Sequence, residues 1–347
     1  MNKKICSILI TIALLCSSSN GNAEKRNIEK NFYVSNTAKK KTSKHNRPAN
    51  SLRVLYWNIQ NGMWSDQGNN YDNFVEWVKS YSPDVCIWCE AQTIYKTGTA
   101  NSCPAEERYL TDNWTELAAR YGHKYWAISG HRDNYPQVIT SKYPIEKVLD
   151  IVGAEPDSVV THGAGQYRIK FRNKKINFVS LHTWPQGYAY RAKDQALSRK
   201  ENGGDKYRRM EIEYICSHTV NASPEADKEY WFMCGDFNSR SSKDNDVYKY
   251  APEDTRFLVH DYILQHTPYL DVIKEQYPDQ FISSTGGQAR IDFIYCTQPL
   301  NDRVIHAEIL KDSYTGNIVR DPQKLSNFYH PSDHRPILVD FDMGKKK

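Results

Sequence analysis

The sequence predicts an α/β fold: a four-layer α/β/β/α sandwich in which two packed mixed β-sheets carry helices on their outer faces. Strand-like apolar runs recur from Leu52 to Phe341, with few helical segments between them. A doubly wound parallel sheet needs strict alternation of strand and helix, so two stacked sheets fit the pattern better. The apolar runs also end repeatedly in polar residues, as strands do that open together into one cleft.

The fold does not begin at the first residue. Lys3 and Lys4 precede a short apolar run, Ile5 to Cys16, and Gly21-Asn22-Ala23 offers small residues for cleavage. That order reads as a secretory signal peptide over residues 1–23, so an exported protein, periplasmic or secreted, is expected. The run is too short to cross a bilayer, so no transmembrane span is expected. Acylation of Cys16 is the weaker alternative, because Leu15 is bulky where a small residue is wanted. Residues 24–50 read as a basic flexible tether. They hold Lys39-Lys40-Lys41, Lys44 and Arg47, and too little apolar surface to order themselves. The functional domain is then residues 51–344.

Within it, Leu52–Trp57 reads as the first strand. Tyr71–Tyr81 has helical spacing through Phe74, Val75 and Val78, and stops before Ser82-Pro83. Val85–Trp88 is a strand, and Glu106–Tyr121 a second helix with apolar positions at Leu110, Trp114, Leu117 and Ala118. Strands follow at Tyr125–Ile128, Gln137–Thr140, Ile145–Val152, Gln166–Phe171 and Ile176–His182. A polar stretch, Thr183–Asp205, leads to a helix over Lys206–Val220. The last strands are Tyr230–Cys234, Arg290–Tyr295, Ile305–Leu310 and Ile337–Phe341.

Composition excludes little but corrects one inference. A chain of 347 residues can bury a full core without disulfides. Its net charge of +5 invites a polyanion partner. Yet the tether carries +6, residues 1–23 carry +2 and Lys345-Lys346-Lys347 carry +3, which leaves −6 for the domain. Net charge is therefore no argument for nucleic acid. Cys86 and Cys89 have the spacing of a metal or redox pair, but both sit in an apolar strand run with no second pair nearby. Most cysteines read as small core residues, with Cys103 the best placed for a disulfide.

The chemistry lies at the strand ends. Asn58 ends the first run, Glu90 the second, and His182 the run from Ile176. Asp236-Phe237-Asn238 ends the run from Tyr230, Asp292 opens Phe-Ile-Tyr, and Asp333-His334 precedes the last strand. A nucleophilic Gly-x-Ser-x-Gly elbow, a phosphate-binding Gly-x-x-x-x-Gly-Lys loop and histidine-rich zinc spacing are all absent from the sequence.

Trp57-Asn58-Ile59, Glu90, Gly235-Asp236-Phe237-Asn238, Arg290-Ile291-Asp292-Phe293 and Ser332-Asp333-His334-Arg335-Pro336 together resemble the ordered motifs of the DNase I-like endonuclease/exonuclease/phosphatase superfamily. Ser141-Lys-Tyr-Pro-Ile145 and Leu181-His182 resemble it too. The resemblance covers about Leu52 to Phe341. It implies a Mg²⁺-dependent hydrolase of phosphoric esters, with Mn²⁺ an expected substitute. Asn58, Glu90 and Asp333 would lie at the metal. Asp236 would orient or deprotonate the attacking water, and Asn238 would bind a phosphate oxygen. His334 would act as acid/base on the phosphate, held by Asp292, with His182 as the second histidine. Arg132 is a candidate phosphate contact. The superfamily includes nucleases, sphingomyelinases and inositol-phosphate phosphatases. A nuclease acting as a monomer is the favoured expectation, with a phospholipid diesterase or small-molecule phosphatase the rival and a silent binding module the remaining alternative. The basic segment Tyr188–Arg209 could track a phosphate backbone. Asn134–Gln137 and His162–Gly165 have no counterpart in the superfamily pattern and are expected to shape specificity.

Overall fold

The computed structural model describes residues 47–91, 113–130, 135–153, 156–185, 194, 197, 203–320 and 329–344. The stretch read as a signal peptide, all but the end of the stretch read as a tether, Cys103, Arg132 and most of the basic segment lie outside these residues.

Two six-stranded sheets form the molecule's centre. The strands in chain order are β1 Ser51–Asn58, β2 Val85–Cys89, β3 Tyr125–Ser129, β4 Gln137–Ser141, β5 Ile145–Ile151, β6 Ala164–Phe171 and β7 Lys174–His182. They continue with β8 Tyr230–Asp236, β9 Tyr269–Asp271, β10 Asp292–Thr297, β11 Val304–Ile309, the short pair β12 Val319–Arg320 and β13 Tyr329–His330, and β14 Ile337–Asp342. One sheet runs β11-β14-β1-β2-β4-β3 and the other β5-β6-β7-β8-β10-β9. Each contains one parallel pair, β1 with β2 and β7 with β8, flanked by antiparallel neighbours. Helices α1 Gln60–Gln67, α2 Asp72–Tyr81, α3 Asn113–Arg120, α4 Asp205–His218 and α5 Leu258–His266 are the longer ones among the described residues.

Strict alternation of side chains builds the layers. Val54 and Tyr56 of β1, Val85 and Ile87 of β2, Phe178 of β7, and Phe232 and Cys234 of β8 share the core between the sheets. The intervening residues face outward. Leu55, Trp57, Cys86 and Trp88 pack under α2 and α3, with Phe74, Trp77, Val78 and Trp114. Val179, Leu181, Trp231 and Met233 pack under α4 and α5, with Ile212, Ile215, Val259 and Ile263. These three apolar layers make the expected four-layer sandwich.

Each apolar run read as a strand forms one. β10 starts two residues later than read, because Arg290 turns into a buried ion cluster. It pairs with Asp244 at 2.7 Å and Asp271 at 2.8 Å. The helix read from Glu106 is described from Asn113 onward. The five described cysteines in the domain, Cys86, Cys89, Cys216, Cys234 and Cys296, are buried free thiols.

Candidate active site

The topology collects one end of both sheets. A parallel pair brings its two C-termini together, and an antiparallel neighbour begins where that pair ends. Hence His182, Asp236 and Asp292 lie in direct register across β7, β8 and β10. In the other sheet Asn58 pairs with Cys89, one residue before Glu90, and the Asp333-His334 segment leads into β14 beside β1. Asn58, His182, Asp236 and Asp292 fall on the inward parity of their strands. They therefore crown the inter-sheet core, and all four are buried.

His334 is held from behind. Its Nδ1 lies 2.7 Å from Asp292 Oδ2. Asp292 in turn accepts from Tyr56 Oη at 2.9 Å and from Ser284 Oγ at 2.8 Å. The other ring nitrogen, Nε2, points at Asp236 Oδ2, 3.6 Å away, with Asp333 at 3.8 Å. Burial opposes a charge on His334, but Asp292, Asp333 and Asp236 outweigh it and raise its pKa well above the ordinary value. His182 is the opposite case. Burial, then the neighbouring His162 and His334, push its pKa well down, so it stays neutral. Its Nε2 lies 3.3 Å from Asn238 Nδ2 and 3.7 Å from Asp236.

The acidic side is built from an unusual turn. Gln60, Asn61, Gly62 and Met63 all have positive φ, between 42° and 68°, as does Glu90 at 55°. A left-handed residue other than glycine costs about 1–2 kcal/mol. The turn points amides inward: Gln60 N–H donates to Asn58 Oδ1 at 3.0 Å and Asn61 N–H to Glu90 Oε2 at 3.1 Å. Because a backbone N–H takes the Asn58 oxygen, the amide nitrogen faces the acids. It donates to Glu90 Oε1 and Asp236 Oδ2, each at 3.1 Å. The sequence reading places Asn58 at the metal; in the structure its amide nitrogen bridges the Glu90 and Asp236 carboxylates. Asn238, also at positive φ, is held by donation to Thr183 O at 3.1 Å and by its own N–H to Asp236 Oδ1 at 2.9 Å.

Glu90 is pushed up to about 6 by burial and the charge of Asp333. Burial raises Asp236 to about 8, against the pull of His334. Carboxylates crowded with so little compensating charge form an oxygen-rich donor set that suits a hard divalent cation. Glu90, His182 and Asp236 bring ligand atoms within 4.8 Å of one another. Asp236, Asp292 and His334 do so as well, but there Asp292 is already engaged by three side chains.

Tyr56, Ser284 and the left-handed turn escaped the sequence reading. Tyr56 reads only as a core residue of β1, although its inward parity, shared with Asn58, aims it at the site. Two arginines of the basic segment lie within the described residues. Arg208 is 1% exposed and donates to the carbonyls of Trp184 and Pro185, while Arg209 pairs with Glu213 and covers the Tyr262 ring.

Layered sheets that gather acids, amides and two histidines of opposite charge state at one end define a hydrolytic site of the metal-assisted kind. The chain belongs to the endonuclease/exonuclease/phosphatase family, which it matches over residues 55–334, and is thereby a metal-dependent phosphoester hydrolase. Its fold is similar to that of an AP endonuclease from Archaeoglobus fulgidus, at 18% identity over 84% of this chain and 99% of that one, with a TM-score of 0.54. It is similar also to the human Nocturnin catalytic domain, at 15% identity over 84% of this chain and 94% of that one, with a TM-score of 0.52. An endonuclease/exonuclease/phosphatase family protein from Bacteroides thetaiotaomicron matches at 14% identity, over 84% and 97% of the two chains, with a TM-score of 0.50. No curated protein matches by sequence. No helix among the described residues is long and apolar enough to cross a membrane.

Proposed function

We propose that this chain is an exported, Mg²⁺-dependent phosphodiesterase, with nucleic acid its favoured substrate. The observation that carries the hydrolytic reading is the Asp292–His334 pair, 2.7 Å apart, aimed at Asp236. Two titratable groups with pKa values pushed in opposite directions, His334 up and His182 down, divide the proton chemistry between them. His334, charged and fixed by Asp292, serves as the acid against the phosphate. Asp236 orients the attacking water and takes its proton, as a base poised near neutral pH can. Asn238 and the neutral ring of His182 contact phosphate oxygens. Glu90 and Asp333 would hold the cation, with Asn58 fixing the Glu90 carboxylate. Bound there, Mg²⁺ supplies Lewis-acid neutralisation of charge developing on the phosphate. Arg132 remains a proposed phosphate contact.

The AP endonuclease likeness supports a nucleic-acid substrate. The charge of −6 over residues 51–344 supports a second reading, a lipid or small phosphoester bearing few charges. The purified chain should be assayed on plasmid DNA, sphingomyelin and inositol phosphates, each with Mg²⁺, with chelator, and with His334→Ala. Metal- and His334-dependent nicking of the plasmid alone supports the nuclease. Turnover of the lipid or inositol phosphate without nicking supports the second reading. Turnover that survives both chelator and His334→Ala overturns the site.

A further inference from the structure

We propose that His162 is a positioning residue for His182, acting through a stack of rings that helix α4 holds in place. The inference rests on the phosphoester-hydrolase reading above. His162 lies flat against His182, with ring centroids 4.4 Å apart and planes 15° apart. Trp184 is stacked on His162 at 5.7 Å and 16°. Tyr135 meets both imidazoles edge-on, at 5.2 Å and 6.1 Å. His162 is 1% exposed and belongs to no motif of the catalytic pattern.

The backbone on either side of the stack is pinned from outside the sheet. Glu211 of α4 accepts from Thr161 N through one oxygen and from Trp184 N through the other, both at 2.9 Å. One carboxylate thus links the residue before His162 to the residue two after His182. Arg208, one turn earlier on α4, donates to Trp184 O and Pro185 O at 3.1 Å. From the other sheet, Gln137 Nε2 donates to His162 O at 3.4 Å. Gly130 leaves room for that carbonyl, since a Cβ there would come within 2.4 Å of it.

The stack fixes what the catalytic contacts leave loose. An imidazole χ2 is broad and roughly two-fold, so a histidine at a strand end can swing its plane. Asn238 and Asp236 restrain His182 at one nitrogen, 3.3 Å and 3.7 Å away, and the further contact to the ring comes from the backbone of Tyr135, whose own ring belongs to the stack. A ring packed face to face sets the plane. Misplacing a reacting group by about 1 Å costs on the order of 10²-fold in rate.

The test is a double-mutant cycle on the full chain, with bis(p-nitrophenyl) phosphate and Mg²⁺ as the probe. His162→Ala is expected to lower kcat about 10²-fold with KM within roughly threefold, the signature of an interaction made in the transition state. His162→Phe, which keeps a ring in the stack, should recover most of the loss, whereas His162→Leu, which fills the space without a ring, should not. In a His182→Ala background the cost of His162→Ala should shrink to about twofold or less. Should His162→Ala fail to fold, the Phe and Leu variants carry the same comparison. Equal activity of those two, or a cost that is the same with and without His182, overturns the proposal. A wild-type chain that hydrolyses neither this ester nor the three substrates above overturns the underlying reading instead.

Discussion

Asp292 answers three side chains at once, and each of its oxygens is committed. Tyr56 donates to Oδ1, while Ser284 and His334 meet Oδ2. Asp292→Asn removes the charge that sustains the imidazolium and turns one end of the group from acceptor to donor. We expect kcat to fall about 10²–10⁴-fold, the range for losing an oriented acid/base group. Tyr56→Phe deletes one hydrogen bond and leaves the carboxylate in place, so a loss of about tenfold is expected, in keeping with ~1.5 kcal/mol for a bond to a charged group. Steady-state kinetics on both variants check the order. Equal losses would mean that Tyr56, not the charge of Asp292, places His334. The acids, amides and histidines were legible in the sequence because chemistry-bearing residues at strand ends stand out against apolar runs. Tyr56 was not, because an inward tyrosine on a strand has the same pattern whether it packs or positions. Ser284 was not, because it reaches Asp292 from a loop whose path no local pattern records.

At the scale of the element, the register of β7 and β8 sets the site, since one residue of slip would turn His182 or Asp236 away from the inner face. Gly235 permits that register. A Cβ there would meet the Leu181 carbonyl oxygen at 2.3 Å, and that atom is backbone, which cannot swing aside. Gly235→Ala must therefore spread β7 from β8 next to the paired His182 and Asp236. We expect a loss of about 1–3 kcal/mol in stability, typical of overpacking, together with a fall in kcat. Denaturant unfolding and hydrolysis on one preparation check this. Unchanged activity at reduced stability would show that the two strands separate without disturbing the row. The strands themselves were readable, because alternation over a buried sheet face is a strong periodic signal. Helix α5, nine residues from Leu258 to His266, was not, since a short apolar run does not distinguish helix from strand by period. The left-handed turn after β1 was partly hidden for another reason. Asn61-Gly62 marks a turn, but Gln60 and Met63, which share the positive φ, carry no such mark, so the sequence shows only part of the conformation.

Across the whole molecule, burial has left two further histidines neutral, His123 and His260. His123 is pushed down to about 4 by burial, with its ring between Thr140 and the Pro83 carbonyl. His260 is pushed down to about 3, by burial and then by Arg290, with its ring between Tyr295 and the Ser239 carbonyl. The unfolded value is 6.5 for both. A folded pKa below the unfolded one makes the unfolded chain bind the proton first. The stability these rings contribute is therefore complete above pH 6.5 and is lost as pH falls toward 4 and 3. Its size is roughly 3 kcal/mol for His123 and roughly 5 kcal/mol for His260, at 1.36 kcal/mol per unit. Glu211 works the other way. Burial raises it to about 7, so its contribution is complete below 4.5 and fades as pH rises through 7. The whole acid curve thus mixes opposing effects, and only variants separate them. His123→Gln and His260→Gln can keep an acceptor and a donor at each site without a titrating group. Urea unfolding between pH 7.5 and 4.5 should show a steep loss of stability in the wild type. The slope should be shallower in each variant and shallowest in the double, even where their stability at pH 7.5 is lower. A double variant with the wild-type slope would mean that acid unfolds this protein through its carboxylates alone. The cluster of Arg290 and Lys274 with Asp244 and Asp271 would then be the place to look, since protonating either aspartate strands a cation that is at least nine-tenths buried.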